Sequence, residues 1–125
     1  MMQGRSQFPP DVIQPITRED EVDIEPQRGR RVTIWVVVAD GEVYVRSVRA
    51  GRGRWYQRLT EQPLGMLHVG TREVPFQAVH VADPKVLQRV TDAFRQKYER
   101  RWPRETAPMV KGDSVNTTLR LEPLP

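Results

Sequence analysis

The residues in this sequence best suited to chemistry are arginines concentrated in one part of the chain. Seventeen of the 20 basic residues are arginine, and eight of them lie between residues 28 and 58, where Asp40 and Glu42 are the only acids. This segment carries +6 (eight minus two), whereas residues 1–27 carry −4 (two minus six) and the whole 125-residue chain carries +4. A guanidinium group binds phosphate or carboxylate through paired hydrogen bonds. The segment is therefore a candidate anion site.

The neighbours of these arginines extend the candidate site. Ser47 has a hydroxyl that can complete an anion pocket, and the pair Trp55-Tyr56 follows with flat aromatic surfaces. A phosphate next to an aromatic ring is what a nucleotide, a flavin or single-stranded nucleic acid presents. The alternative interpretation is that Trp55 packs in the core and that the arginines are simply solvated.

Other kinds of reactive site have little support in the sequence. The three serines have no His and Asp partners at a recognisable spacing, which disfavours a hydrolytic triad. The chain has no cysteine and only two histidines, His68 and His80, which disfavours a zinc site. Neither the P-loop pattern nor GxGxxG occurs. We therefore expect no metal and assign no catalytic side chain, so that any reaction would use the chemistry of a cofactor.

A β-hairpin is predicted to position the arginines. The runs 32–38 and 43–48 are rich in β-branched residues, and Asp40-Gly41 between them tolerates the positive φ angles of a tight turn. Both faces of the first run are mostly apolar, which predicts a central strand covered on both sides. Because the two strands are antiparallel, the start of the first lies beside the end of the second. The hairpin should therefore gather seven polar residues at one end: Arg30, Arg31, Arg46, Ser47, Arg49, Arg52 and Arg54.

The remaining pattern predicts a mainly β fold. Further strands are indicated at 20–25, 66–69, 74–81 and 115–121. A short helix at about 55–62 ends before a proline, and an Asp-Pro pair begins a long helix at about 84–101. These elements predict a small antiparallel barrel or curled sheet with one long and one short helix. Residues 1–19 are expected to form a flexible N-terminal arm, and residues 20–125 a single domain.

Three stretches of the chain resemble a known family. They are DEVDIEPQRGRRVTIWVVVADGEVYVRSVRAGRGRWYQRL (20–59), DAFRQKY (92–98) and TTLRLEP (117–123). They look like an uncharacterised bacterial group, domain-of-unknown-function family 2255. That group resembles the wider split β-barrel superfamily of pyridoxamine 5′-phosphate oxidases and deazaflavin-dependent nitroreductases. The resemblance covers about residues 20–123 and implies that the barrel is a split β-barrel.

The resemblance also implies a cofactor and the residues that hold it. Ser47 and Arg49 would contact the cofactor phosphate, with Arg31 and Thr33 on the adjoining strand and Trp55 lining the same pocket. The cofactor would be FMN or a deazaflavin, and the protein would be a homodimeric oxidoreductase. Hydride would then pass to a small organic acceptor whose identity the resemblance leaves open.

Two other functions remain open, and the cellular setting can be predicted separately. The chain could be a non-catalytic split-barrel dimer that has lost its cofactor, or an anion- or nucleic-acid-binding module, as its pI of about 10.0 suggests. An acidic N-terminal segment would repel a polyanion, so nucleic acid is the less favoured partner. The longest apolar run, Ile34–Ala39, is too short to span a membrane, and no apolar signal segment begins the chain. We therefore expect a cytoplasmic protein that does not contact a membrane.

Overall fold

An antiparallel β-sheet forms the centre of the computed structural model, which describes residues 7–124. In that range the sheet has seven strands, in the spatial order β2-β1-β5-β6-β7-β4-β3. Along the chain these strands are β1 (Val22–Pro26), β2 (Val32–Ile34), β3 (Val37–Ala39), β4 (Glu42–Val45), β5 (Leu64–Val69), β6 (Arg72–His80) and β7 (Leu119–Pro123). All neighbouring strands are antiparallel, so the predicted mainly β class is confirmed.

Helices accompany this sheet at several points of the chain. Within the described range they are α1 (Pro10–Arg18), α2 (Arg54–Glu61), α3 (Pro84–Phe94) and α4 (Pro103–Val110), with 3₁₀ turns at Ala50–Arg52 and Gly112–Thr117. A π-helical turn at Arg95–Glu99 continues α3, so the two together match the predicted long helix. Helix α3 begins as predicted, because the Asp83 side chain accepts a hydrogen bond from the backbone N–H of Lys85 at 2.9 Å. Helix α2 matches the predicted short helix.

The two edge strands of the sheet belong to one stretch of chain. Strand β2 pairs with β1, and β3 pairs with β4, while only Trp35 and Val36 separate β2 from β3. The sheet therefore curls until its two edges meet in this stretch, which gives the barrel-like shape that the sequence predicts.

The predicted hairpin is confirmed only near its turn. Asp40 and Gly41 have φ angles of 52° and 77°, as a tight hairpin turn requires. Beyond the turn, pairing of 32–38 with 43–48 along the whole length is wrong, because the first half of that run pairs with β1. Strand β4 ends at Val45. The next side chain, that of Arg46, is buried against α3, α4 and Thr118, the residue that precedes β7.

The π-helical turn satisfies the backbone at the break between β2 and β3. The N–H of Val36 donates to the Tyr98 hydroxyl at 3.0 Å, and the Val36 carbonyl accepts from Lys97 Nζ at 2.8 Å. The Tyr98 hydroxyl can donate to the carbonyl of Val36 or of Asp20, at 2.9 and 2.7 Å. Trp35 stacks on the Tyr98 ring with centroids 4.0 Å apart. A strand that leaves its ladder would otherwise bury unpaired polar groups, so these contacts make the break possible.

The apolar side chains form two clusters, one on each side of the sheet region that carries the break. The first combines strand residues with α1 and α2, and its fully buried members include Ile16, Ile24, Val36, Val43, Val45, Leu67 and Phe76. The second combines β3 and β4 with α3, the π-helical turn and α4, and includes Val37, Tyr44, Val90, Phe94, Tyr98 and Met109. The stretch from β2 to β3 contributes to both clusters, as expected for a strand covered on both sides.

The N-terminal segment contributes to the core where the sequence suggests an arm. Of the predicted arm 1–19, residues 1–6 lie outside the described range, and α1 occupies most of the rest. Val12 and Ile16 of this helix are buried in the first cluster, at 8 % and 0 % exposure. Prolines at the start of α1 and inside it obscure its helical periodicity in the sequence. No helix among residues 7–124 has the length and apolar character needed to cross a membrane.

Candidate ligand-binding cavity

A cavity of about 530 Å³ lies where β2, the end of β4, the start of α2 and α4 come together. Its volume is within the range of small-molecule and cofactor sites. One group of lining residues is apolar or aromatic: Val32, Ile34, Trp35, Val48, Trp55 and Met109. The other is polar or charged: Glu21, Thr33, Arg46, Ser47, Arg49, Arg54 and Glu105. The cavity therefore offers both a surface for a ring and groups for an anion.

Four of the five residues assigned to the site from the sequence line this cavity. They are Thr33, Ser47, Arg49 and Trp55. The fifth, Arg31, is not among the lining residues, and its Nε donates to Asp23 Oδ2 at 2.7 Å. The cause is the pairing of β2 with β1, which places Arg31 beside an acid instead of beside the end of β4.

Thr33 lines the cavity with a hydroxyl that is already engaged. Its Oγ1 donates to Asp23 Oδ1 at 2.6 Å. This hydrogen bond, with that from Arg31, holds the pKa of the Asp23 carboxyl below its ordinary value. The Thr33 hydroxyl proton is thus committed to Asp23, and toward a ligand this hydroxyl can only accept a hydrogen bond.

Ser47 is held rigidly at the wall of the cavity. Its N–H donates to Thr117 Oγ1 at 2.9 Å, and its carbonyl accepts from Ser114 Oγ at 2.8 Å and from the N–H of Ala50 at 2.9 Å. The residue is only 1 % exposed. A methyl group on Gly53 would overlap the Ser47 hydroxyl, so this glycine lets the loop approach the serine. The two ends of the loop 47–53 are therefore fixed against each other.

The N-terminus of α2 opens beside Ser47. Its N-cap, Gly53, has no side chain to accept from the first amides of the helix, and the first turn contains no acid. Those amides have no partner within the helix, and the helix dipole places partial positive charge there. Arg49 and Arg54, both exposed, line the cavity at the same place. Together with the Ser47 hydroxyl they form a set of donors suited to a phosphate or carboxylate.

Arg46 is the most unusual lining residue because its side chain is buried. It is 1 % exposed, and its hydrogen bonds go to neutral oxygens: Thr118 Oγ1, Thr91 Oγ1, the Met109 carbonyl and the Leu87 carbonyl, at 2.8, 2.9, 2.8 and 3.0 Å. The guanidinium also lies 5.4 Å from the centre of the Phe94 ring. Burial lowers the pKa of Arg46 to about 10, so it stays charged near neutral pH.

Sequence reasoning found part of this site and missed the rest. Of the seven polar residues expected at one barrel end, Arg46, Ser47, Arg49 and Arg54 line the cavity, whereas Arg30, Arg31 and Arg52 do not. Trp35, Glu105 and Met109 were not anticipated. The last two belong to α4, whose internal proline conceals the helix in the sequence. Trp35 could have been suspected from its place in the apolar run, but only the break next to it brings it to the cavity.

The fold and the cavity define a class: a small antiparallel, barrel-like β protein with a ligand-sized cavity between its curled sheet and its helices. Among residues 7–124 no group of three or more His, Asp or Glu side chains could hold a metal ion. A family model described as "Uncharacterized protein conserved in bacteria (DUF2255)" matches residues 12–121. The chain belongs to this family.

A comparison with solved structures supports the same fold. The chain is similar to a conserved hypothetical protein of Mycobacterium tuberculosis, Rv2991, with a TM-score of 0.62 and 17 % identity. The match covers 99 % of this chain and 84 % of that one. At this identity the likeness shows the fold alone. No curated protein matches the sequence.

Proposed function

We propose that the cavity binds a phosphorylated aromatic cofactor, FMN or a deazaflavin, and that the protein is an oxidoreductase acting on a small organic acceptor. The observation that carries this proposal is the presence of a phosphate-type donor set and aromatic walls in one cavity of about 530 Å³. The sequence resemblance to the split β-barrel superfamily points to the same cofactors. It also supports, as a further proposal, a homodimer. The lack of cysteine fits the cytoplasmic setting that we propose as well.

The residues present fit such a cofactor. At one side, the Ser47 hydroxyl, Arg49 and the first amides of α2 can hold a phosphate, and the lack of a Cβ on Gly53 lets the start of α2 lie directly against the Ser47 hydroxyl. At the other side, Trp35 and Met109 offer apolar surface for a ring. When bound, the cofactor would supply the hydride chemistry that the side chains of this cavity lack.

The protein's own contribution would be binding, orientation and exclusion of water. The arginines and the helix terminus would neutralise the phosphate, and the rigid Ser47 would fix its position. The Val48 side chain, which is 61 % exposed at the opening of the cavity, would cover apolar surface of the bound cofactor. Glu21 and Glu105 also line the cavity, and they would repel a polyanion laid across it, which supports a small ligand over nucleic acid.

Reconstitution tests the proposal directly. The protein is incubated with FMN or with a deazaflavin, passed through gel filtration, and examined by absorption spectroscopy, while light scattering measures its oligomeric state. We expect a retained chromophore with at least one cofactor. Retention of neither would contradict the proposal and would leave the non-catalytic barrel as the better description.

Arg49→Gln tests the phosphate side of the cavity. We expect this variant to bind FMN about tenfold more weakly, because one charge-assisted hydrogen bond is lost. Riboflavin lacks the phosphate, so its dissociation constant should change little. Arg89→Gln removes the same charge from an exposed arginine that pairs with Asp40, and it serves as the control. Equal weakening of FMN and riboflavin by Arg49→Gln would contradict the phosphate assignment.

A further inference from the structure

The buried guanidinium of Arg46 carries a positive charge that its own contacts do not neutralise. All four of its hydrogen-bond partners are hydroxyl or carbonyl oxygens, and none is a carboxylate. These contacts engage four of the five N–H groups, but they leave the net charge in a region of low dielectric constant. A buried charge without a counter-charge is costly, and residues of this kind cluster at functional sites.

Arg46 forms part of one wall of the cavity. Its Nη1 donates to the carbonyl of Met109, which lines the cavity as well. On its other side the guanidinium faces the Phe94 ring, which offers no countercharge beyond the ring's quadrupole. Because the guanidinium is buried, water screens its charge less than it screens an exposed side chain at the cavity. The carboxylates at the cavity, Glu21 and Glu105, are exposed and so are better screened.

We propose that Arg46 makes the cavity select the more negatively charged form of its ligand, and thus the reduced ring of the cofactor over the oxidised ring. This inference rests on the proposed function. Two electrons and one proton added to the oxidised flavin ring leave it with one additional negative charge. That charge would sit in the field of Arg46, which is strong because the guanidinium is buried. Arg46 is then a positioning residue that acts by its charge, next to Met109, without needing to touch the ring.

The first test compares the two redox forms on the wild-type protein. The dissociation constant of oxidised FMN is measured by fluorescence quenching, and that of reduced FMN follows from the midpoint potential of the bound cofactor against free FMN, with dithionite as reductant. We expect reduced FMN to bind at least tenfold more tightly, which corresponds to about 30 mV for a two-electron couple. If only a deazaflavin is retained, the same comparison is made with it.

The results of this first test distinguish the role of Arg46 from the proposed function of the cavity. A ratio near or below one, with FMN bound, would overturn the role of Arg46 alone. Failure to bind either form of either cofactor would overturn the proposed function and this inference together.

Variants then attribute the preference to Arg46. Arg46→Gln should abolish the tenfold ratio, Arg46→Lys should largely keep it although four hydrogen bonds are disturbed, and the exposed control Arg89→Gln should leave it unchanged. An unchanged ratio in Arg46→Gln would overturn the inference. If Arg46→Gln does not fold, the wild-type ratio is measured again in 0.5 M NaCl. A preference set by a buried charge should persist there, whereas one set by the exposed Arg49 and Arg54 should disappear, and its disappearance would overturn the inference.

Discussion

At the scale of single residues, the cavity wall depends on the close approach of Gly53 to the Ser47 side chain. The backbone of Gly53 has φ −64° and ψ 129°, which any residue can adopt. Space is what requires glycine here, because an added methyl group would overlap the Ser47 hydroxyl. Ser47 cannot move away easily, since Thr117 and Ser114 hold its backbone N–H and carbonyl. The pair Ser47–Gly53 is therefore a coupled unit.

This coupling predicts a non-additive pair of substitutions. Gly53→Ala should lower the free energy of unfolding by about 1–3 kcal/mol, because it overpacks a rigid site. In the double variant Ser47→Ala/Gly53→Ala most of that loss should disappear, since the remaining Cβ of residue 47 lies 3.5 Å from the new methyl, an ordinary contact. Urea unfolding of the wild type, both single variants and the double variant measures the coupling. Additive effects of the two substitutions would contradict this account.

At the scale of elements, sequence reasoning succeeded where the signal is local. The Asp40-Gly41 turn and the Asp83 cap are each decided by a few adjacent residues, and both occur as predicted. The break between β2 and β3 could not be predicted in this way. Both halves of the run 32–39 have a strand pattern, and the groups that satisfy Val36 come from Tyr98, 62 positions later. The cavity depends on this break, because the break brings Trp35 to its wall.

Helix α1 provides the clearest test of which elements belong to the folded domain. Ile16 is completely buried in the first cluster, and its carbonyl accepts a hydrogen bond from Lys97 Nζ at 3.0 Å. Ile16→Ala should therefore lower the free energy of unfolding by about 2–4 kcal/mol, the usual cost of truncating a buried isoleucine. The exposed Gln14→Ala, on the same helix, is the matched control and should change it by less than about 0.5 kcal/mol. Equal, small effects in denaturant unfolding would instead support a detached arm.

At the scale of the whole molecule, the uneven charge along the chain is partly neutralised on folding. Acids of the N-terminal segment pair with arginines elsewhere in the chain: Asp11 with Arg72 and Asp20 with Arg101, which are distant in sequence, and Asp23 with Arg31, which is eight residues away. Of the arginine-rich segment, Arg46, Arg49 and Arg54 remain at the cavity. The +6 segment thus contributes three arginines to the cavity, and the anion site that its charge predicts stays a prediction. Which arginines reach the cavity depends on strand pairing, which the charge pattern does not contain.

Lys97 joins helix α1 to the break between β2 and β3, and its ammonium group titrates within an accessible pH range. It donates to the carbonyls of Ile16 and Val36, at 3.0 and 2.8 Å. Burial lowers its pKa from 10.5 to about 8, with Asp20 opposing the shift and Arg101 adding to it. The folded protein therefore releases this proton at a lower pH than the unfolded chain does. The contribution of Lys97 to the free energy of unfolding is therefore lowest below pH 8, and it increases as the pH rises from about 8 towards 10.5.

Lys97→Met should make this dependence visible. The substitution removes the charge and both hydrogen bonds. The measured quantity is the free energy of unfolding of the wild type minus that of Lys97→Met, to which the lost hydrogen bonds contribute a constant amount. Because the wild-type lysine titrates, this quantity should increase by about 1 kcal/mol between pH 7 and pH 9. Urea unfolding at both pH values measures it, with the exposed Lys85→Met variant as the control for loss of one positive charge. Working below pH 9.5 keeps the titrations of Tyr98, whose pKa is raised by burial, and of Arg46 out of the comparison. A difference that stays constant or decreases with pH would show that the Lys97 ammonium is not desolvated at the break, and that the barrel closes there without burying a charge.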